Sequence, residues 1–135
     1  MKYYIIAGEA SGDLHGSNLM KALQKQDVNA QFRFWGGDLM QSVSGTLVKH
    51  YKERQFMGFA EVIFNLRKIL GLIKYCKNDI ENFQPDVIIH LAWHGIPDYS
   101  QSVSRFNLDL SIDFFDFILD NTNCDKIISS GSCWE

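Results

Sequence analysis

The sequence contains little proline, little cysteine and no long apolar run. Its 135 residues include two prolines and three cysteines. An odd number of cysteines without a C-x-x-C pair argues against a disulfide framework, so we expect a reducing, cytosolic environment. No apolar segment approaches the ~20 residues of a transmembrane helix. The apolar part of MKYYIIAGEASG is also too short for a secretory signal.

Charge of neither sign dominates the whole chain, but the two halves differ. The net charge is −3, with eleven Lys and Arg against six Asp and Glu in residues 1–77 and two against ten in residues 78–135. The halves therefore carry about +5 and −8. This shift fits two differently solvated faces, a patch for an anionic partner, or two pieces of different origin. We expect no nucleic-acid partner.

Apolar periodicity predicts strands alternating with helices. Strands are predicted at 2–8, 31–37, 46–50, 85–93 and 126–132. A helix follows the first strand with Leu14, Leu19 and Leu23 facing inward, and further helices are predicted at 61–83 and 106–119. The apolar positions of the 61–83 helix are Val62, Leu66, Ile69, Leu70, Ile73 and Ile80. This alternation predicts an α/β, Rossmann-like, doubly wound parallel sheet of about four or five strands in a single three-layer domain over 1–135.

The loop after the first strand carries unusual chemistry for its position. It reads GEASGDLHG over residues 8–16, which is neither G-x-G-x-x-G nor a P-loop. Ligands of doubly wound sheets bind at the carboxyl ends of the strands. Glu9 and Asp13 would repel a pyrophosphate there, whereas carboxylates and the His15 imidazole suit a ligand rich in hydroxyl groups. Alternatively, Ser11 or Asp13 caps the helix, the glycines permit a turn and His15 is a surface residue.

Three motifs in register resemble the amino-terminal part of the lipid-A-disaccharide synthase family. They are GEASGDLHG after the opening strand, FWGGDLM at 34–40 and FMGFAEV at 56–62. The resemblance covers residues 1 to about 86. It implies an inverting two-domain (GT-B) glycosyltransferase of lipid A biosynthesis, which joins a UDP-linked diacylglucosamine donor to a diacylglucosamine 1-phosphate acceptor. It implies no cofactor, and a cytoplasmic location with peripheral contact to the inner membrane.

The resemblance also implies which residues face the acceptor side of the cleft. Carried over by position, they are Glu9, Ser11, Gly12, Asp13, His15, Gly16, Gly36, Gly37, Met57, Gly58 and Glu61. The apolar stretch 56–64 is either core or a contact to acyl chains. Basic side chains form either a solvated face or an electrostatic dock for an anionic lipid, namely Lys49, Lys52, Arg54, Arg67 and Lys68.

The sequence departs from the synthase pattern after the QPDV strand entry. Ala92 stands where the family has its proposed catalytic Asp, and Asp98 lies six residues further on. Residues 87–135 instead resemble the middle of an extended short-chain dehydrogenase, the NAD-dependent epimerase and dehydratase group. This second resemblance implies NAD as an alternative cofactor and makes Asn107 and Ser132 alternative site residues. Two pieces, 1–86 and 87–135, would then meet at a seam near 84–91.

Three hypotheses follow from these resemblances. The first is an incomplete glycosyltransferase, the acceptor-side domain of the synthase, inactive alone because Ala92 replaces the Asp and the donor domain is missing. The second is a fragment of a sugar-nucleotide epimerase or dehydratase. The third is a non-catalytic chimeric domain.

Overall fold

Five parallel strands form one sheet in the computed structural model, which describes residues 1–53, 66–92 and 100–130, with the side chains of 66–69 left out. The strands are β1 (Lys2–Ala7), β2 (Gln31–Gly36), β3 (Thr46–His50), β4 (Val87–Leu91) and β5 (Lys126–Ser129), in the order β3-β2-β1-β4-β5. All four pairings are parallel. The chain thus winds outward from β1 to β3 and then crosses back to β4.

The helices connect the strands. They are α1 (Ala10–Gln26), α2 (Asp38–Gln41), α3 (Leu66–Phe83) and α4 (Gln101–Asn121), and a 3-10 turn spans Tyr51–Glu53. Helices lie on both faces of the sheet, which gives three layers. The predicted Rossmann-like doubly wound fold is confirmed.

Alternating side chains of the central strands supply two cores. On one face Ile5 and Phe34 are fully buried against Met20 of α1 and Met40 of α2. On the other face Tyr4 and Ile88 pack with α3 and α4. A strand whose two faces are both covered reads as a nearly continuous apolar run, as KYYIIA of β1 does.

A partly buried polar network joins β1, β2 and α3 at the border of the second core. Arg33 donates from Nε to Asp79 Oδ2 at 2.8 Å and from Nη2 to Oδ1 at 2.5 Å, and the Tyr4 hydroxyl donates to Oδ2 at 2.7 Å. Burial raises the pKa of Tyr4, and the hydrogen bond to Asp79 raises that of Arg33. A bidentate pair of this kind fixes the orientation of α3 against the sheet.

Two helices differ from the sequence prediction in which side chains they bury. Leu19 and Leu23 pack against the core as predicted, but Leu14 is 48% exposed. In α3, Ile80 is buried as predicted, whereas Leu70 is 55% exposed. Helix α3 instead reaches the core through Cys76 and Ile80, one turn apart. The beginning of the predicted 61–83 helix and the apolar stretch 56–64 lie outside the described residues.

None of the described helices combines the length and apolar character that a bilayer crossing requires.

We predict that Asp79→Asn lowers the free energy of unfolding by about 1–3 kcal/mol, because it leaves the guanidinium of Arg33 partly buried without its counter-ion. Tyr4→Phe removes a single hydrogen bond and should cost about 1 kcal/mol. Urea unfolding followed by circular dichroism measures both. The matched control is Asp109→Asn in the exposed Arg105 pair, expected within about 0.5 kcal/mol of the parent. An Asp79→Asn effect no larger than this control would contradict the role assigned to the network.

Candidate functional site

The candidate site lies where the winding of the sheet reverses, at the carboxyl ends of β1 and β4. Ligands of doubly wound sheets bind in the crevice at such a reversal. Gly8 follows β1 and Ala92 follows β4, and a Cβ placed on Gly8 would lie 3.3 Å from the Ala92 Cβ. Ala92, where the synthase resemblance implies an Asp, therefore lies beside Gly8, just before α1 begins at Ala10. The stretch 8–16, predicted as a loop, is helical from Ala10 onward.

The amino-terminal end of α1 brings a carboxylate to this crevice. Glu9 occupies the N-cap position but makes no side-chain capping bond, so the prediction that Ser11 or Asp13 caps α1 is wrong. The Ser11 hydroxyl donates instead to Glu9 Oε1 and orients that carboxylate. Ser11 and His15 are exposed and four residues apart, which places them on one face of α1. Glu9 itself is half-buried; together with the exposed Ser11 and His15 it forms what is here called the exposed triplet.

Asp13 has a different role. It is 2% exposed, and its carboxylate accepts three backbone N–H groups from the β2–α2 turn. Oδ1 accepts from Gly37 at 2.8 Å and Met40 at 3.0 Å, and Oδ2 accepts from Leu39 at 3.1 Å. The first N–H groups of a helix have no partner within it. Asp13 lies on α1 but caps α2. The N–H groups that it caps are 24–27 residues away in the sequence.

The glycines of the candidate set permit close packing around this carboxylate. A Cβ on Gly37 would overlap the Tyr51 ring and lie 2.6 Å from Asp13 Oδ2. On Gly16 and Gly36 it would lie 2.7 and 2.5 Å from the Met40 sulfur. Gly12 sits over β1, where a Cβ would be 3.1 Å from that of Ala7. These buried glycines, with Asp13, form the packed junction of α1 with β1, β2 and α2.

A second polar group lies nearby at the ends of β2 and β3, and of its residues the sequence predicted a role only for Lys52, in an electrostatic dock. His50 Nε2 is 3.3 Å from Asp38 Oδ1, and His50 Nδ1 accepts the Lys52 backbone N–H at 3.1 Å. The neutral imidazole therefore carries its proton on Nε2 and donates it to Asp38. Lys52 Nζ also donates to Asp38 Oδ2 at 3.1 Å. Hydrogen bonds from Lys52 and His50 lower the pKa of Asp38, and Asp38 raises that of Lys52.

These ion pairs bear on the proposed electrostatic dock. Lys52 is paired with Asp38, and Lys49 Nζ lies 2.5 Å from Glu53 Oε2. Both of these lysines are thus engaged by carboxylates of the same surface. Arg54 and the side chains of Arg67 and Lys68 lie outside the described residues.

The structure divides the predicted site residues into two groups. Ser11 and His15 are exposed and Glu9 is half-buried, whereas Gly12, Asp13, Gly16, Gly36 and Gly37 are buried. Met57, Gly58, Glu61 and Ser132 lie outside the described residues, as does Asp98. Across 1–53, 66–92 and 100–130, no cluster of three or more His, Cys, Asp or Glu side chains is arranged to bind a metal ion.

Comparison with known proteins identifies the family. The family model described as lipid-A-disaccharide synthetase matches residues 3–99. The chain belongs to the lipid-A-disaccharide synthase family. It is 31% identical over 105 residues to the lipid-A-disaccharide synthase of Chromohalobacter salexigens, covering 78% of this chain and 26% of that protein. The synthase of Xanthomonas campestris is 34% identical over 102 residues, covering 76% and 23%.

The synthase of Paramagnetospirillum magneticum is 38% identical over 95 residues, covering 69% of this chain and 24% of that protein. The chain thus spans about a quarter of the length of these relatives. The match to the synthase family continues to residue 99, beyond the predicted limit near residue 86 and across the proposed 84–91 seam.

The resemblance of residues 87–135 to short-chain dehydrogenases is not supported by these comparisons. Of the two residues that it selected, Asn107 is buried and its Nδ2 donates to the Val103 carbonyl of the same helix at 2.9 Å.

We predict that Asp13→Asn destabilises this part of the synthase-family domain by about 2–3 kcal/mol. An amide offers one acceptor oxygen, so its NH₂ group must face the backbone N–H of either Leu39 or the Gly37–Met40 pair. Urea unfolding followed by tryptophan fluorescence measures the change, with Trp35 of β2 contributing close to the substitution. Asp38→Asn, an exposed carboxyl on the same turn, is the control and should lower the unfolding midpoint much less, because its pairs with His50 and Lys52 are at the surface. Equal midpoints for the two variants would refute the capping role of Asp13.

Proposed function

We propose that the chain is the acceptor-side part of a lipid-A-disaccharide synthase. The complete enzyme would be a glycosyltransferase that joins UDP-diacylglucosamine to diacylglucosamine 1-phosphate. The observation that carries this proposal is the exposed triplet at the carboxyl ends of β1 and β4, in a chain that belongs to this family over residues 3–99.

The chemistry of the triplet suits a sugar better than a pyrophosphate. The Glu9 carboxylate is held by Ser11 and offers further acceptor positions for sugar hydroxyl groups. His15, one turn further along the same exposed face, can donate or accept. Because Asp13 already accepts three N–H groups, we assign direct contact with the sugar to the exposed triplet and the shape of the surface to Asp13.

In the reaction of the complete enzyme, an acceptor hydroxyl oxygen would attack the anomeric carbon of the donor. A new glycosidic C–O bond forms as the bond from that carbon to the UDP oxygen breaks, and the hydroxyl proton passes to a base. UDP carries the bonding electron pair away. The family pattern supplies an Asp at the position of Ala92, where a methyl group can take no proton.

We propose that this chain alone binds the acceptor but does not transfer the sugar. Among the described residues, Ala92 leaves the end of β4 without a carboxylate, and the relatives are about four times as long as the matched segment. A donor-binding domain and the UDP-linked donor would belong to the remainder of such an enzyme. Cytoplasmic location and peripheral membrane contact are further parts of this proposal.

Binding of the acceptor is tested by thermal unfolding of the 135-residue chain with diacylglucosamine 1-phosphate in detergent micelles. At about ten times the Kd, the ligand should add about 1.4 kcal/mol and raise the Tm by about 3–6 °C relative to empty micelles. Glu9→Gln should remove most of this shift, since it replaces a carboxylate with a weaker acceptor. Glu81→Gln is the matched control, because Glu81 is exposed near the end of α3, which leads into the amino-terminal end of β4, whereas the candidate site is at the carboxyl end.

Stabilisation by NAD rather than by the acceptor would favour the dehydrogenase alternative. An acceptor shift that is the same in the parent and in Glu9→Gln would contradict the assignment of the triplet. Restoration of transfer is a separate test, in which Ala92→Asp is combined with the remaining domain of a relative and UDP release is measured. Release of UDP only with Asp at this position is the expected result.

A further inference from the structure

Helix α4 carries a second apolar face that the described part of the chain leaves largely uncovered. One side of α4 packs on the sheet through Ile118, which is fully buried, and Phe114. A different set is exposed: Leu108 is 51% exposed, Ile112 is 47% exposed and Leu119 is 67% exposed. The spacings of four and seven residues place these three side chains in one row along the helix. They are here called the α4 stripe.

Carboxylates form a row beside the stripe. With 3.6 residues per turn, Asp109, Asp113, Asp116 and Asp120 fall on the flank of α4 between the stripe and the side that contacts α3. That side is located by Lys77, whose Nζ lies 4.8 Å from the Phe117 ring centroid and 3.5 Å from the Asp113 carbonyl oxygen.

Few cations of the domain neutralise this row. Arg105 Nε lies 3.4 Å from Asp109 Oδ1, and both side chains are exposed. Among the described residues, the exposed carboxylates of Asp113, Asp116 and Asp120 have no ion-pair partner. The acid-rich segment 78–135, with its balance of −8, therefore concentrates four acids beside an apolar row.

The apolar α4 stripe and the row of carboxylates beside it together restrict which partner can cover the stripe. A second copy of α4 would place the same acids opposite one another, and like charges at a contact are unfavourable. An anionic membrane surface would be repelled for the same reason. A helix with its own apolar row and lysines or arginines along one flank satisfies both features.

We propose that α4 is a docking surface for a basic amphipathic helix of a partner protein. The α4 stripe packs against the apolar row of that helix, and the carboxylate row selects its charge. The surface lies outside residues 3–99, which match the synthase family.

The probe is a designed amphipathic peptide of about five turns, with leucine on one face and lysine on both flanks. A second peptide has the same sequence with glutamate at every lysine position. Fluorescence anisotropy of each labelled peptide is recorded with the full 135-residue chain at low and at high salt. We expect the lysine peptide to bind at least about tenfold more tightly than the glutamate peptide at low salt, with a smaller ratio at high salt because exposed charges are screened.

Two variants of the chain separate the apolar and the charged contributions. Leu108→Gln combined with Ile112→Gln should abolish binding of the lysine peptide, whereas Leu14→Gln on the exposed face of α1 should leave it unchanged. Asp113→Asn, Asp116→Asn and Asp120→Asn together should weaken the lysine peptide about tenfold and reduce the preference between peptides. Far-UV circular dichroism confirms that each variant is folded.

Three results would overturn the proposal. One is equal affinity for the two peptides, and another is no binding of the lysine peptide to the folded chain at about 100 µM. The third is concentration-dependent dimerisation in sedimentation velocity that the Leu108→Gln and Ile112→Gln changes remove, since a second copy would then cover the stripe.

Discussion

The capping of α2 by Asp13 is the interaction on which the amino-terminal half of the structure depends. A carboxylate with 2% exposure is costly to bury unless its oxygens are satisfied, and here three backbone N–H groups satisfy them. The contact fixes α1 over the carboxyl ends of β1 and β2. It also explains why Gly37 lies beneath it, since a Cβ there would meet Asp13 Oδ2 at 2.6 Å.

This constraint determines which side chains remain for a ligand. Asp13, Gly12 and Gly16 form the buried side of α1, so only the opposite side of its first turns faces solvent. That side carries Ser11 and His15, and Glu9 precedes it at the carboxyl end of β1. The GEASGDLHG motif thus serves two purposes at once. Its buried residues build the junction, and its exposed residues form the surface to which we assign the acceptor sugar.

The sequence allowed the sheet and its winding to be predicted because both rest on local patterns. Alternation of Phe32 and Phe34 with the polar residues Gln31 and Arg33 marked β2, and Gly36 and Gly37 marked its end. Sequence patterns predicted the burial of a side chain less well where tertiary contacts decide it. Leu14 fits the helical spacing of the α1 core, yet it is exposed because buried glycines and Asp13 bring that end of the helix close to β1 and α2.

The role of Asp13 could not be predicted for the same reason. A capping residue is recognised from sequence by its position at the start of its own helix. Asp13 lies within α1 and caps α2, so its partners are 24–27 residues away. Likewise, the Asp38–His50–Lys52 group forms only because β3 pairs with β2. The exposed apolar row of α4 could not be distinguished in the sequence, because other apolar residues of the same helix face the core.

The most direct test of the account is a two-dimensional amide NMR titration of the ¹⁵N-labelled chain with glucosamine 1-phosphate. This sugar carries the polar part of the proposed acceptor without its acyl chains, so it reports on the crevice alone. The account predicts saturable shifts of the amides of Glu9, Ser11 and His15 together with Ala92, while the α4 amides stay in place. Shifts confined to other surfaces, or none at millimolar sugar, would contradict the assignment of this crevice to the acceptor.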